Sequence, residues 1–303
     1  MNLFDAKAWG IEFNIPYDSP PPMPPASPAP PMIAPDDRWR TVAGPVAVLG
    51  AFVFSMTLNA TCGRDIGGVA CAWRPSFSPD SRAFGIWTAI YIGMIVTLII
   101  QALDGFGPVL YAADTETNSL IAFAWLMCGL WVIVFSNADS HDRRIALGLA
   151  ACILVLATWA ALRAVLIEAS WRSDDYVRIF CVGVPYSLFA GWLCVASTLG
   201  ISIFLKSLFY PPDLICYQRQ DAYSTRVTAD PTDQTSWHSA VPLMVATAIS
   251  LLSFVIPDPV LPLPTAWGVF WMRGHFKNWL AIKLLVMTSV ASVIASRLDV
   301  FIF

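Results

Sequence analysis

Residues 74–101 read RPSFSPDSRAFGIWTAIYIGMIVTLIIQ. From Ala83 to Leu103 the run carries no charged residue, and about 20 apolar residues suffice to cross a hydrocarbon core of about 30 Å. Ahead of it stand Pro75, Phe77 and Pro79, then Asp80 and Ser81, whose side-chain oxygens accept from the free N–H groups of a starting helix. The stretch therefore reads as a capped membrane span entered through a short proline-bearing loop. Phe84, Trp87, Tyr91 and Met94 recur at three- and four-residue steps and share one helical stripe. That stripe is either a ligand wall or a packed helix interface, and periodicity leaves both open.

The same rule marks further apolar segments at 41–61, 118–136, 145–167, 180–208, 239–256 and 278–295. A short one at 259–271 is broken at its start by Pro262 and Pro264, and Trp267 and Trp271 suit an interfacial or tilted helix. Hydrophobic residues make up 57% of the 303-residue chain and charged residues 13%, where soluble domains run near a quarter charged. Mean hydropathy is +0.62. Soluble domains, disorder throughout and a secreted disulfide scaffold are excluded, and a net charge of −3 leaves no basic footprint for nucleic acid. The fold class is all-α: a polytopic, integral membrane helix bundle with lipid as its surroundings. Its 13 Trp are more than interfacial belts require.

Residues 1–40 form a separate arm holding ten of the 23 prolines, between Pro16 and Pro35. Such a stretch packs no core and stays solvated, as a flexible extension or as a dock for an SH3- or WW-type partner. No basic n-region leads into an apolar h-region, so no secretory signal is read there. Residues 211–237 form a polar loop, and 238–303 hold the additional C-terminal helices. Of seven cysteines, Cys128, Cys152, Cys181 and Cys194 lie in apolar runs, Cys216 stands alone, and Cys62 and Cys71 flank one loop and bridge if it faces an oxidising space. The positive-inside rule puts both termini on the non-cytosolic side, which conflicts with that bridge. Scattered His141, His238 and His275 and the lack of CxxC spacing argue against zinc, and no cofactor is implied.

Ionisable groups inside a membrane mark ion or proton paths by default. Here they reduce to Arg163 and Glu168, near a span end with the interface in reach, and Lys283, about a turn inside the last helix. No nucleophile–base pair or phosphate loop is present, so the chain reads as a non-enzyme with no catalytic residues. A second stripe, Pro185, Leu188, Trp192, Ala196 and Leu199, lies in the fifth span, where Pro185 frees a carbonyl and kinks the helix. Cys128 and Trp131 share a face of the third.

A proline-bearing aromatic loop with Phe77-Ser-Pro79, then Phe84, Trp87, Tyr91 and Gly93, and later Pro185-Tyr186 with Trp192 and Ala196, resembles the tryptophan-rich sensory protein / translocator protein (TspO/MBR) family. The family-like core covers about residues 45–205, within a five-helix unit at 41–210, and about three further C-terminal helices are like those of longer tryptophan-rich relatives. The chain departs from the family pattern at Cys128, where an Asn is usual, and at Ser197-Thr198-Leu199-Gly200, where an Asn follows the alanine. The resemblance implies a cavity for a planar apolar ligand of the tetrapyrrole (porphyrin) or sterol class, with a sensory or transport role. Its walls would be Phe84, Trp87, Tyr91, Cys128, Trp131, Pro185 and Trp192, with Phe77 and Pro79 in the covering loop. Rings offer a flat ligand large contact area. Leu214, Tyr217 and Arg219 fit a loose sterol-contact pattern. A solute transporter or exporter, and a structural subunit of a membrane assembly, are the alternatives; a homodimer is left open.

Overall fold

A computed structural model describes residues 38–63, 66–75, 78–104, 113–138, 143–168, 176–209, 244–245, 247–249, 252, 258–272 and 275–297. Phe77, Leu214, Tyr217, Arg219, Cys216, the proline-rich stretch and the polar loop lie outside the described residues. The helices are α1 (Arg38–Cys62), α2 (Ile66–Ala72), α3 (Ile86–Asp104), α4 (Thr115–Ser136), α5 (Arg143–Glu168), α6 (Val184–Phe209), α7 (Pro262–Phe270) and α8 (His275–Arg297). A 3₁₀ turn, Ser81–Gly85, leads into α3, and one α-turn (Tyr176–Arg178) with a π-helical turn (Ile179–Gly183) leads into α6. Five stretches, Ala43–Cys62, Ser81–Leu103, Thr115–Ser136, Arg143–Glu168 and Tyr176–Phe209, are long and apolar enough to span a membrane. The architecture is the expected all-α membrane bundle, with no strand among the described residues.

Backbone polar groups inside lipid must pair within their own helix, which is why the spans are continuous helices. Packing then depends on small residues that let the helices approach closely. In α5 the buried face is Ala150, Ala151, Ala157, Ala160, Ala161 and Ala164, and α5 packs between α4 and α6. α6 is the most enclosed helix, buried on nearly every side. Gly93 of α3 meets the Pro185 ring, and a Cβ there would come 3.1 Å from it.

Pro185 lacks an N–H, so the carbonyl four residues earlier, that of Cys181, loses its helical partner. The Thr97 hydroxyl on α3 donates to that carbonyl. The expected freed carbonyl is thus satisfied across the α3–α6 contact, next to the π-turn that absorbs the irregularity.

Two ends can be told apart. At one end α2 and Trp73 pack with Phe135, Leu147 and Ile203, Ser136 donates to the Cys62 carbonyl at 2.8 Å, and Lys206 donates to the Arg74 carbonyl at 2.8 Å. At the other end lie Gln101, Asn118, Glu168 and Tyr186. The loop after α1 holds a helix that the sequence reading lacked, and this bears on the cysteines. Cys62 is free and Cys71 is disulfide-bonded, so the two do not bridge each other. Asn59 lies inside α1 and gives its amide to the Tyr91 hydroxyl at 3.3 Å.

Helix α7 lies against α6. A Cβ on Gly191 would collide with the Leu261 carbonyl, and one on Gly268 would touch Val195 and Trp192. Two glycines, one on each helix, permit this close seat. α8 follows, packed on α7, with Lys283 on its exposed face.

Candidate ligand site

Asp80 fixes the start of α3. Its side chain accepts the Arg82 backbone N–H at 3.0 Å as N-cap of the Ser81–Gly85 turn, and the Arg82 guanidinium at 3.0 Å. Those two hydrogen bonds hold the Asp80 carboxyl below the usual carboxylate range. Past the cap, Trp87 and Tyr91 are half-buried beside the fully inward face of Ala83, Ile86, Ile90 and Met94. Trp87 stacks on Tyr91 with centroids 5.4 Å apart and stands edge-on to Trp192 at 6.4 Å. Phe84, about half exposed, stands edge-on to Trp192 at 5.8 Å.

Three further rings complete the cluster, and none was singled out from the sequence. Trp125 of α4 stacks face to face on Phe189 of α6 at 4.2 Å. Phe52 of α1 meets Trp125 edge-on at 5.0 Å and Tyr91 at 6.0 Å. Four spans thus deliver rings to one place. Trp125 was legible in part, because it lies three residues before Cys128 on the same buried face. Phe189 sits three residues before Trp192 in the same way. Phe52 had no such signal.

Among the residues expected to line the site, Trp87, Tyr91 and Trp192 come together with Phe84 at their edge. Cys128 is buried in the same core, and Pro185 is buried against Gly93. Trp131 lies at the margin shared by this core and the α2-end cluster, stacking on Phe135 at 5.1 Å, more than a turn from Trp125 toward the α2 end. The tryptophan at the centre of α4 is Trp125. Phe77 lies outside the described residues, as do Leu214, Tyr217 and Arg219.

The covering segment is joined by the C-terminal part of the chain. Pro79 forms an isolated bridge with Met272, and the Asp80 N–H donates to the Trp271 carbonyl at 2.9 Å. The Trp267 indole donates to the Ala83 carbonyl at 2.8 Å, and the Arg82 guanidinium lies 4.2 Å from the Trp271 ring centroid. α7 therefore closes the side of the cluster between α3 and α6.

Chemically the site is a wall of rings with few polar groups. Trp125 Nε1 and Trp271 Nε1 are buried donors without a partner, and a buried donor left unmade is costly. No group of three His, Cys, Asp or Glu side chains able to hold a metal occurs among the described residues. In comparisons with known proteins, residues 41–211 match the family model described as TSPO-like protein. No curated protein and no solved structure matches the chain.

Proposed function

The chain belongs to the TSPO-like protein family and is an integral multi-pass membrane protein, and from that premise we propose that its aromatic cluster binds a planar, largely apolar ligand of the tetrapyrrole or sterol class in a sensory or transport role. The observation that carries this reading is the buried Trp125 indole N–H, without an acceptor, on a ring in contact with four others. A flat ligand bearing an oxygen acceptor would stack on the rings and satisfy that donor. Trp87 is the ring to test, since it is only partly buried and touches Tyr91, Trp125, Phe189 and Trp192.

The test is tryptophan quenching in detergent, with tetrapyrroles and sterols side by side. Saturable loss of emission is expected, and Trp87→Ala should weaken binding by about 1–3 kcal/mol, by analogy with base–aromatic stacking.

A second reading, the structural subunit, is favoured by one observation. Trp125 and Trp192 are about 1% exposed, Trp125 lies flat on Phe189, and Trp192 stands edge-on to Trp87, so the cluster fills its own space. On that reading Trp87→Ala leaves ligand signals unchanged and instead costs about 3–5 kcal/mol of stability. Affinity and thermal stability measured on one preparation separate the two.

A further inference from the structure

At the end away from α2, two carboxylates are buried where the sequence suggested none. Glu168, expected to reach the interface, has a side chain only 2% exposed. Asp258, just before α7, is 1% exposed. Both line one narrow gap with Val165, Gly183, Tyr186 and Ser187, and the gap has no room for a water molecule.

The hydrogen-bond inventory separates the two acids. Asp258 Oδ1 accepts the N–H groups of Val260 at 2.8 Å and Leu261 at 3.0 Å, and Asp258 Oδ2 bonds the Ser187 hydroxyl. This acid is tied by its surroundings to the start of α7. Glu168 Oε1 accepts from Arg178 Nε at 2.7 Å, while Glu168 Oε2 is buried with no partner. An ionised carboxylate carries its charge on both oxygens, and leaving one dry and unbonded beside a second acid costs free energy. A hydrated cation does not fit the gap. A proton does.

We propose that Glu168 is a proton-binding site within the membrane bundle, holding one proton on Oε2 while Oε1 keeps its bond to Arg178. The step is a simple association: the carboxylate takes a proton from solvent and becomes the neutral acid, with no other bond made or broken. The groups facing Glu168 are Arg178 ahead of α6, Asp258 before α7, and Tyr186 on α6, while Asp114 at the N-cap of α4 acts on it through space. Arg163 of α5 and Glu116 of α4 form a separate exposed pair at 3.9 Å. When the proton leaves, two carboxylates face one gap, and repulsion acts on the residue that anchors α7 to α6. The site stands whether or not the aromatic cluster binds a ligand.

The chain has three glutamates, Glu12, Glu116 and Glu168, so a clean test needs no change at the site itself. In the full-length E12Q/E116Q variant, reconstituted in lipid nanodiscs and labelled with carboxyl-13C glutamate, every label-sensitive carboxyl band belongs to Glu168. The expected infrared spectrum shows a protonated-acid C=O band at neutral pH that is lost on raising the pH, and the melting temperature falls as the pH rises from the ordinary glutamate range, about pH 4.3, toward the pH at which the band is lost, levelling off beyond it. A band that appears only in the ordinary glutamate range, about pH 4.3, or never, overturns the proton site. A melting temperature that does not fall between those two points overturns the preferential protonation of Glu168 in the folded bundle. Glu168→Gln, where it folds, should melt without that pH dependence.

Discussion

Around Trp125 the bundle buries six rings from four helices and almost no polar pairing. Around Tyr186, toward the opposite end, it buries a chain of polar side chains with few rings. There Gln101 Nε2 donates to the Tyr186 hydroxyl at 3.1 Å, that hydroxyl donates to Asn118 Oδ1 at 3.1 Å, and Asn118 Nδ2 donates to the Ala113 carbonyl at 3.0 Å. The chain joins α3, α6 and α4 in one direction of donation. Ring packing resists deformation through shape, and a polar chain resists it through geometry, since each member left unpaired is penalised. The ring region is therefore held by shape alone, while the polar end is held by paired groups.

The largest effect should come from removing the centre of the ring region. Trp125→Ala deletes a side chain about 1% exposed that stacks on Phe189 and meets Phe52, Trp87 and Tyr91. The expected loss is about 3–5 kcal/mol, read as a lower melting temperature in detergent. A planar ligand that restores part of that loss would sharpen the comparison by showing that the space is exchangeable. A loss well under 1 kcal/mol would break it.

The contrast also shows what a sequence reveals in a membrane protein. Spans were legible because about 20 uncharged residues have few other uses, and the Asp80 cap because a carboxylate before a helix has one obvious role. Which face of α6 mattered was not legible, since a helix buried nearly all round has no polar side to orient it. Keying on Trp131 placed the α4 ring more than a turn from Trp125, because both tryptophans fall on inward positions of one helix. The polar end was missed for a different reason. Glu168 sits at a span end, where a sequence permits escape to the interface, and its enclosure comes from Gly183, Tyr186 and Ser187 together with Asp258 from 90 residues later. Likewise nothing in residues 259–271 announces that Gly268 fits Trp192 and Val195.

A middle-sized effect is expected at the polar end. Tyr186→Phe keeps the ring and removes the hydroxyl, so the Gln101 amide loses its acceptor and the Asn118 carbonyl loses its donor. With all three residues buried, the cost should be about 1–3 kcal/mol. Ligand quenching at the ring cluster should be unchanged, because Tyr186 belongs to the other region. A variant that kept full stability but lost ligand binding would mean that the two ends are not separate in function.

The smallest effect belongs to the Asp80 cap, and its sign can be worked out. The Arg82 N–H and guanidinium hold the folded carboxyl below its ordinary range, so the folded state favours the ionised form more than the unfolded chain does. That contribution is fully present above the unfolded value, about pH 3.9, and is lost as the pH falls through the lower folded value. Asp80→Asn keeps an oxygen that can cap the 3₁₀ turn, because Asn and Asp are comparable N-caps, but it cannot titrate. The wild type should therefore lose stability on acidification below about pH 4, and the variant should lack that part of the slope. Since Asp80 is exposed, solvent and salt screen the interaction, and raising the ionic strength should shrink the difference further. Melting curves of both proteins across the acid range, at low and high salt, measure it. Equal acid slopes would mean that the Asp80–Arg82 contact contributes nothing to holding the covering segment, leaving that task to the Trp267–Ala83 and Asp80–Trp271 backbone ties.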